Sequence, residues 1–254
     1  MKKALIGYTG FVGGNLNEQL EFTHLYNSKN IAEISGQSFD IVYCAGVSAK
    51  KWLANKDPEN DLKAIENLKD SLDAINTKKF VLISTVDVYP KPVNVDEDTH
   101  IDLKEVDPYG KHRLILEKFV KEKFDTTIIR LPGLFGNNLK KNVIYDFLNN
   151  NCLDMIHQDG VFQFYNLDYL SKDIDLALKN NISLINFATE NVSVKDLVDL
   201  VFKNNFTNQI EKPAPFYDFR TKYGHLWNNN NYIYSRSQII EDISKFVSKQ
   251  KIKS

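Results

Sequence analysis

Residues 3–13 read Lys-Ala-Leu-Ile-Gly-Tyr-Thr-Gly-Phe-Val-Gly and are the most informative segment of the chain. Lys3–Ile6 is a short apolar run of strand character, and Leu16 and Leu20 follow the glycines at helical spacing. Glycines permit a tight turn, and the start of a helix offers unpaired N–H groups and the positive end of the helix dipole. A strand, a glycine-rich turn and a helix in this order therefore predict a cradle for a phosphate group.

The three glycines follow the spacing G-x-x-G-x-x-G, a variant of the fingerprint that holds the pyrophosphate of a dinucleotide. A tight turn without a ligand is the alternative, and the position directly after a first strand favours the binding site. The predicted contact residues of this turn are Gly7, Thr9, Gly10, Phe11 and Val12.

Composition narrows the class of protein. The chain has 254 residues, enough for one domain or two closely packed ones, and its net charge of −1 argues against a nucleic-acid or anionic-membrane surface. No apolar run approaches the length of a membrane span. The two cysteines, Cys44 and Cys152, indicate a reducing compartment, and the five scattered histidines predict no metal site. We expect a cytoplasmic protein.

Short apolar runs alternate with amphipathic stretches through the first half of the chain. The runs are typical of buried strands, the stretches are typical of helices, and their alternation predicts a parallel sheet covered on both faces. Only one short strand, near residues 24–27, fits between the first helix and the next run, which indicates a trimmed nucleotide-binding fold. The predicted strands cover 40–45, 79–84 and 126–131, and the predicted helices cover 60–75 and 109–123.

The pattern changes after Gly136. We expect residues 1–136 to form the nucleotide-binding domain, with return segments at about 162–188. Residues 137–161 and 189–254 then form a smaller lobe. This lobe includes a helix that Ser193 caps, an aromatic, loop-rich stretch and a closing helix over 237–249.

Two segments carry residues suited to chemistry. Ser84-Thr85-Val86-Asp87-Val88-Tyr89 follows a predicted strand, so its hydroxyl groups lie at the ligand-binding edge of the sheet. Asp107-Pro108-Tyr109-Gly110-Lys111-His112-Arg113 opens a helix at its proline. Tyr109 and Arg113 are four residues apart and therefore share one helix face.

These segments, in this order and spacing, resemble the extended short-chain dehydrogenase/reductases, the branch that holds nucleotide-sugar epimerases, dehydratases and reductases. Arg130-Leu131-Pro132-Gly133-Leu134-Phe135-Gly136 and Phe164-Tyr165-Asn166-Leu167-Asp168 are similar to two further stretches of that family. The resemblance runs to about residue 200. It implies an α/β fold of Rossmann type, with a doubly wound parallel sheet and a small C-terminal substrate lobe.

The resemblance also implies catalytic roles. Tyr109 corresponds to the family's general acid/base, and the Thr85 hydroxyl positions the same substrate oxygen. Arg113 stands where the family has a lysine that holds the nicotinamide ribose and lowers the tyrosine pKa. Arginine keeps the charge but is planar, bulkier and unable to shuttle a proton. Two outcomes stay open: an enzyme that works with Arg113, or a chemistry that is weakened, altered or lost.

Substrate contacts are expected from Val86, Asp87 and Tyr165. Dehydratases of the family carry Asp-Glu after the threonine, and Val86 has no proton to donate, so 4,6-dehydration is disfavoured. Asp87 either binds substrate, acts as a second acid, or is a solvated loop carboxylate.

Cofactor preference depends on the residues after the second strand. Asn27, Ser28 and Lys29 stand there in place of an acidic residue, which favours the 2′-phosphate of NADP over the diol of NAD, with NAD left open. The family resemblance places Cys44, Ala45 and Gly46 along the adenosine and ribose. It places Leu131, Pro132 and Leu134 against the nicotinamide.

The expected activity is reduction or epimerisation of a nucleotide-linked keto-sugar. The alternative is a non-catalytic NAD(P)-binding sensor or partner-binding module on the same fold. Relatives form a homodimer through helices corresponding to residues 60–75 and 109–123. Leu114, Leu116 and Phe119 either serve such a contact or pack on the sheet.

Overall fold

The strand, turn and helix predicted at the start of the chain are β1 and α1 of a computed structural model that describes residues 1–253. The chain divides into two units. The first comprises Met1–Lys91, Thr99–Arg130 and Asp168–Ile185. The second comprises Pro92–Asp98, Leu131–Leu167 and the chain from Asn186 onward.

The helices are numbered in chain order. They are α1 Phe11–Gln19, α2 Lys51–Lys56, α3 Pro58–Asp73, α4 Pro108–Lys123, α5 Val143–Asn149, α6 Leu170–Lys179, α7 Val194–Asp196 and α8 Arg236–Lys253. The strands are β1 Lys3–Ile6, β2 His24–Tyr26, β3 Ser38–Cys44, β4 Asn76–Thr85, β5 Thr126–Leu131, β6 Gly133–Phe135, β7 Val161–Phe162, β8 Phe164–Asn166, β9 Leu184–Asn186 and β10 Val192–Ser193.

Six strands form one parallel sheet in the order β2-β1-β3-β4-β5-β9. Ala4 of β1 is in register with His24 on one side and with Val42 on the other. The chain therefore leaves β1 in one direction to form β2 and returns past β1 to form β3. Ligands of such sheets bind at this reversal, outside the carboxyl ends of the strands. The fold is the expected Rossmann-type α/β sheet, trimmed to one strand beyond β1.

Apolar residues on both faces of this sheet form the core of the first unit. Val42, Phe80 and Leu82 are buried in it, and the Phe80 ring stacks on Phe124 at a centroid distance of 4.9 Å. Strands buried on both faces read as continuous apolar runs, which explains why the sequence shows them so clearly.

Helix α3 begins two residues earlier than predicted. The Asp57 side chain accepts a hydrogen bond from the Asn60 amide and caps the helix, and Pro58 occupies its first turn. Ile65, Leu68 and Leu72 form its buried face. The charged residues between them lie toward solvent, as the periodicity predicts.

A buried ion pair joins the middle of α4 to β5. Arg130 donates two hydrogen bonds to Glu117, at 3.1 and 2.6 Å, and a third to the Tyr89 hydroxyl. Ser84 donates to the same Glu117 carboxylate. Both charges have hydrogen-bond partners, which is the condition for an ion pair to be retained in a core.

The second unit contains two small sheets. β6 and β8 form a parallel pair, and β7 and β10 form an antiparallel pair. Phe135, Phe164, Ile239 and Ile243 are among the residues that form its core. Ser193 caps α7 in a capping box with Asp196, as predicted, and the helix continues in π-helical form over Leu197–Phe202.

The division between the units differs from the predicted one. Residues 131–136 and 162–167 belong to the second unit because β6 pairs with β8 and leaves the large sheet. Residues 92–98 belong there too: the Glu97 carboxylate accepts hydrogen bonds from the Asn186 amide and the Thr221 hydroxyl.

Residues 1–253 contain neither a membrane-spanning helix nor a metal-binding cluster. None of the helices described there combines the length and the apolar character needed to cross a bilayer. Within the same residues, no group of three or more His, Cys, Asp or Glu side chains is arranged to hold a metal ion.

Candidate active site

The glycine turn after β1 is closely packed against the end of β3. Gly7 has a φ of +87°, and a Cβ atom there would lie 2.4 Å from the carbonyl oxygen of Ala45. A Cβ atom on Gly13 would lie 2.1 Å from the Gly7 oxygen. Since these contacts are far shorter than van der Waals distance, glycine is required at both positions.

Helix α1 starts directly from this turn. Gly10 is its N-cap residue and offers no side-chain hydrogen bond, so its first N–H groups carry no side-chain cap. Thr9 and Gly10 are exposed, and Phe11 and Val12 form the first helical residues. The tight turn and the uncapped helix start are the two features that an anion cradle needs, and phosphate binding there stays a prediction.

Residues 44–46 line the same turn through their backbone. The Cys44 side chain is fully buried, and burial raises the pKa of its thiol to about 11. A thiol with this pKa is protonated at neutral pH and is a poor nucleophile. Cys44 is therefore a wall residue of the sheet.

The residues after β2 form an ordered turn. The Asn27 side chain donates to the Tyr8 hydroxyl at 3.2 Å and accepts from the Lys29 amide at 2.8 Å. Ser28 and Lys29 are exposed. Residues 27–30 directly after this strand thus supply a hydroxyl and an ammonium group but no carboxylate, while the Glu33 carboxylate acts electrostatically on Tyr26 at the end of the strand.

Tyr109 and Thr85 meet at the end of β4. Pro108 opens α4, and the Tyr109 amide donates to Asn55 of α2 at 2.9 Å. A Cβ atom on Gly110 would lie 2.2 Å from the Asp87 carbonyl oxygen, so this glycine lets α4 approach the turn after β4. The Thr85 side chain acts on the ionisation of the Tyr109 phenol and therefore lies near it. The two predicted catalytic hydroxyl groups are thus neighbours at the end of β4, and their joint role in catalysis stays a prediction.

Arg113 is held by a buried network. Its guanidinium donates to both oxygens of Asp61, at 2.5 and 3.0 Å, and to the carbonyl oxygens of Tyr109 and Ser48. An arginine has five N–H bonds, and these contacts use four of them. Its Nε is buried and has no hydrogen-bond partner among the described residues.

Asp61 is the counter-ion that fixes this network. Its carboxylate also hydrogen-bonds His112 Nδ1 at 2.7 Å, and its side chain is 9 % exposed. Burial by itself would raise the Asp61 pKa, but the hydrogen bonds from Arg113 and His112 outweigh burial and hold the pKa below its usual value. Asp61 is therefore ionised at neutral pH.

The pKa of Tyr109 is raised above its usual value, mainly because the ring is buried. The Arg113 charge lowers this pKa, as expected for a cation in the lysine position, but it does not overcome burial. Asp87 raises the pKa further, whereas Thr85 and Lys51 lower it. At neutral pH the phenol is protonated.

Asp87 is not a free loop carboxylate. Lys51, the first residue of α2, lies with its Nζ 2.8 Å from Asp87 Oδ1, and the Asp87 amide donates to Thr85 Oγ1 at 3.1 Å. Asp87 is thus anchored to the same threonine that lies near Tyr109.

Two residues predicted to contact substrate are buried, and a substrate contact from either stays a prediction. Val86 is 3 % exposed and packs inward. Tyr165 is fully buried, with its ring 5.3 Å from that of Phe187 in the second unit. Each is therefore a core residue. Leu131, Pro132 and Leu134 also lie in the second unit, and their contact with a nicotinamide stays a prediction.

Sequence reasoning missed Asp61, Asn55 and Lys51. One signal for Asp61 was available, because an arginine on the inner face of a helix needs a counter-charge. Nothing in the sequence shows which of the many carboxylates supplies it. The partner comes from α3, and the pairing depends on how α3 packs against α4.

An α/β sheet with a glycine cradle at its reversal and a Tyr–Thr pair beside it defines a dinucleotide-binding protein of the short-chain dehydrogenase type. The sequence model of the NAD dependent epimerase/dehydratase family matches residues 16–158, more than half of the 254 residues. The chain belongs to that family.

Known proteins agree with this assignment. The bifunctional UDP-glucose 4-epimerase and UDP-xylose 4-epimerase 1 of Pisum sativum is 30% identical over 118 residues, 44% of this chain. The match spans about a third of the pea enzyme (34%). The structure of MoeE5 in complex with UDP-glucuronic acid and NAD covers 100% of both chains, with a TM-score of 0.75 and 14% identity. The UDP-glucose 4-epimerase of Thermotoga maritima has a TM-score of 0.71 at 16% identity, covering 100% of this chain and 99% of its own.

Proposed function

We propose that this protein is an NAD(P)-dependent enzyme that reduces or epimerises a nucleotide-linked sugar, with Tyr109 as general acid/base. The observation that supports this most is the Thr85–Tyr109 pair at the ligand-binding edge of the sheet. Contacts through residues 45–48 and Arg113 connect the glycine cradle to Tyr109. Gly7 packs on Ala45, the Ser48 carbonyl a few residues later binds Arg113, and the Arg113 guanidinium lies over the Tyr109 ring.

The residues present fit a dinucleotide. The backbone around Gly7 and Gly13 leaves no room for a Cβ atom and so keeps the turn tight, α1 begins without a side-chain cap, and the buried Arg113 Nε has a hydrogen to donate. When bound, the nicotinamide supplies the hydride. The chain's own residues then orient the substrate oxygen through Thr85 and exchange its proton through Tyr109.

The protonated phenol favours the reductive direction. A carbonyl oxygen that becomes a hydroxyl group needs a proton, and Tyr109 carries one at neutral pH because burial raises its pKa. Since the phenol ionises only above the usual value of ~10, reduction is expected to stay constant through neutral pH and to fall in strongly alkaline solution. The rate of oxidation of a sugar hydroxyl is expected to rise in strongly alkaline solution, because the ionised phenol accepts the proton.

NADP is the proposed cofactor, with NAD as the alternative. Support comes from Ser28 and Lys29, which are exposed after β2 where an acidic residue would select the diol of NAD. We further propose that the protein acts in the cytoplasm, in keeping with two unpaired cysteines. A homodimer through α3 and α4 is also proposed. Leu116 is buried on the sheet side of α4, so Leu114 and the outer part of Phe119 are the candidates for that contact.

The test combines binding and turnover. Calorimetry measures NADPH and NADH binding, and chromatography follows a panel of UDP- and dTDP-linked sugars and keto-sugars. The Tyr109→Phe variant is expected to bind cofactor as the parent does and to lose turnover about 10²-fold or more. Stoichiometric loss of NADPH identifies a reductase, and interconversion without net loss identifies an epimerase. Cofactor binding without turnover of any sugar by the parent would instead support a non-catalytic binding module.

A further inference from the structure

Lys51 lies beside the Tyr109 site without an assigned role. Its ammonium is 2.8 Å from the Asp87 carboxylate, and its side chain is 42% exposed, against 22% for Asp87. The Asp87 amide is bonded to Thr85, which in turn lies near Tyr109. The ion pair therefore connects α2 to the two hydroxyl groups at the end of β4.

The Arg113 guanidinium is held in a fixed position. Four of its five N–H bonds are used, and its charge is neutralised by a bidentate pair with Asp61, which is itself buried. A pair of this kind is rigid, because separating it leaves a buried charge without a partner. The Lys51–Asp87 pair differs from this one in its exposure: the Lys51 side chain is 42% exposed and that of Asp87 is 22% exposed, so solvent reaches both charges.

We propose that Lys51 is a positioning residue of this site, which holds the Asp87 carboxylate beside Thr85 and adds a second cation near the Tyr109 phenol to the buried Arg113. The assignment rests on the proposed function only in taking Tyr109 as the acid/base. Four charged groups then govern the phenol. Arg113 comes from its own helix, Asp87 from the turn after β4 and Lys51 from α2, while Asp61 of α3 acts by neutralising Arg113.

The two members of the pair act on Tyr109 in opposite directions. A carboxylate near the phenol opposes its ionisation and an ammonium group promotes it, and both effects are present here. Removing Lys51 leaves Asp87 uncompensated, so the Tyr109 pKa rises. Removing the Asp87 charge leaves Lys51 uncompensated, so the Tyr109 pKa falls. If the Lys51–Asp87 pair only supported the fold, the two replacements would not shift the Tyr109 pKa in opposite directions.

The experiment titrates the phenol directly in the free protein. The 12 tyrosines are replaced by a ring-fluorinated tyrosine, which ionises at lower pH than tyrosine, and ¹⁹F resonances are followed with pH. The Tyr109 resonance is the one absent from Tyr109→Phe. Lys51→Met is expected to move its titration upward by on the order of half a pH unit, and Asp87→Asn downward by a similar amount.

Three further variants complete the design. Lys50→Met removes the same charge one residue earlier, from an exposed side chain, and should leave the titration in place. Lys51→Arg keeps the charge and should restore most of the parent behaviour. In the Lys51→Met/Asp87→Asn double variant, the Tyr109 phenol should titrate at a pH between those of the two single variants. Circular dichroism confirms that each variant is folded.

The proposal is overturned if Lys51→Met titrates with the parent, if both single variants shift in the same direction, or if Lys50→Met shifts as far as Lys51→Met. Should Lys51→Met fail to fold, the Lys51→Met/Asp87→Asn double variant still decides the question: the Tyr109 phenol must titrate at higher pH in it than in Asp87→Asn, and equal titrations overturn the proposal. Because the titration needs no substrate or cofactor, a failure of the proposed enzymatic activity leaves this result unaffected.

Discussion

The guanidinium carbon of Arg113 lies 3.9 Å from the centroid of the Tyr109 ring, one turn away on the same helix. A stacked arginine at a desolvated site contributes about 2 kcal/mol to such a contact. Asp61 holds the guanidinium from α3, so the ring is fixed on one face by a group that is itself fixed. Arginine at this position therefore anchors the phenol, and its capacity to bind a ribose is reduced to a single N–H bond.

Removing Asp61 should destabilise the protein strongly. Asp61→Ala leaves the buried Arg113 charge without its counter-ion, and the expected loss in the free energy of unfolding is about 3–5 kcal/mol. Urea denaturation followed by circular dichroism measures it. Glu66→Ala, at an exposed position of the same helix, is the matched control and should stay within about 0.5 kcal/mol. A loss for Asp61→Ala no larger than that of the control would contradict the assigned network.

The same carboxylate makes stability depend on acid pH. The folded-state pKa of Asp61 is depressed, so its contribution is fully present above its unfolded value of ~3.9 and is lost as the pH falls toward the folded value. Between about pH 5 and pH 3 the parent should therefore lose more unfolding free energy than Asp61→Asn. Asp40 and Asp196 also have lowered pKa values, but they titrate in both proteins and cancel in the comparison. If the free energy of unfolding depends on pH equally in the parent and in Asp61→Asn, then Asp61 does not contribute to the acid dependence of stability.

The sheet was predictable because its strands are apolar on both faces. Residues 126–131 form a strand with the predicted bounds, since β-branched residues fill its first four positions and only Arg130, which pairs with Glu117, interrupts the run. The shared face of Tyr109 and Arg113 follows from helix periodicity alone. The glycine turn was predictable too, because a positive φ and a close backbone approach leave few other residues acceptable at Gly7.

What the sequence did not reveal depends on packing between elements. Asp61 and Lys51 reach the site from α3 and α2, at distances along the chain that no local pattern encodes. Tyr165 shows the same dependence on packing: a family motif suggests a substrate contact, and β8, which is buried at all three of its residues, places the ring in a core. A motif fixes a position in the fold, but side-chain exposure depends on the surrounding elements.

The glycine cradle permits a controlled test of steric fit. Gly7 and Gly36 both have positive φ, +87° and +73°, but a Cβ atom on Gly36 meets nothing within 4 Å. Gly36→Ala should therefore cost only the backbone strain, about 1–2 kcal/mol, and keep cofactor binding. Gly7→Ala adds a clash with Ala45, so it should lower the free energy of unfolding by more than Gly36→Ala does. It should also abolish binding of NADPH and NADH. Calorimetry and urea denaturation separate the two effects, and tight cofactor binding by folded Gly7→Ala would refute the cradle.

Cofactor selectivity should depend on Lys29. Its side chain is exposed beyond β2, in a turn whose geometry is set by the Asn27 side chain accepting the Lys29 amide. A charge-assisted hydrogen bond to a phosphate contributes about 1.5–3 kcal/mol, so Lys29→Ala should reduce the preference for NADPH over NADH about tenfold or more. Affinity for NADH should change little, because only NADPH carries the 2′-phosphate. Lys118→Ala, on an exposed part of α4, removes an equal charge as the control. If the parent binds NADH more tightly than NADPH, or if Lys29→Ala keeps the parent's ratio of dissociation constants, then the turn after β2 does not select NADP.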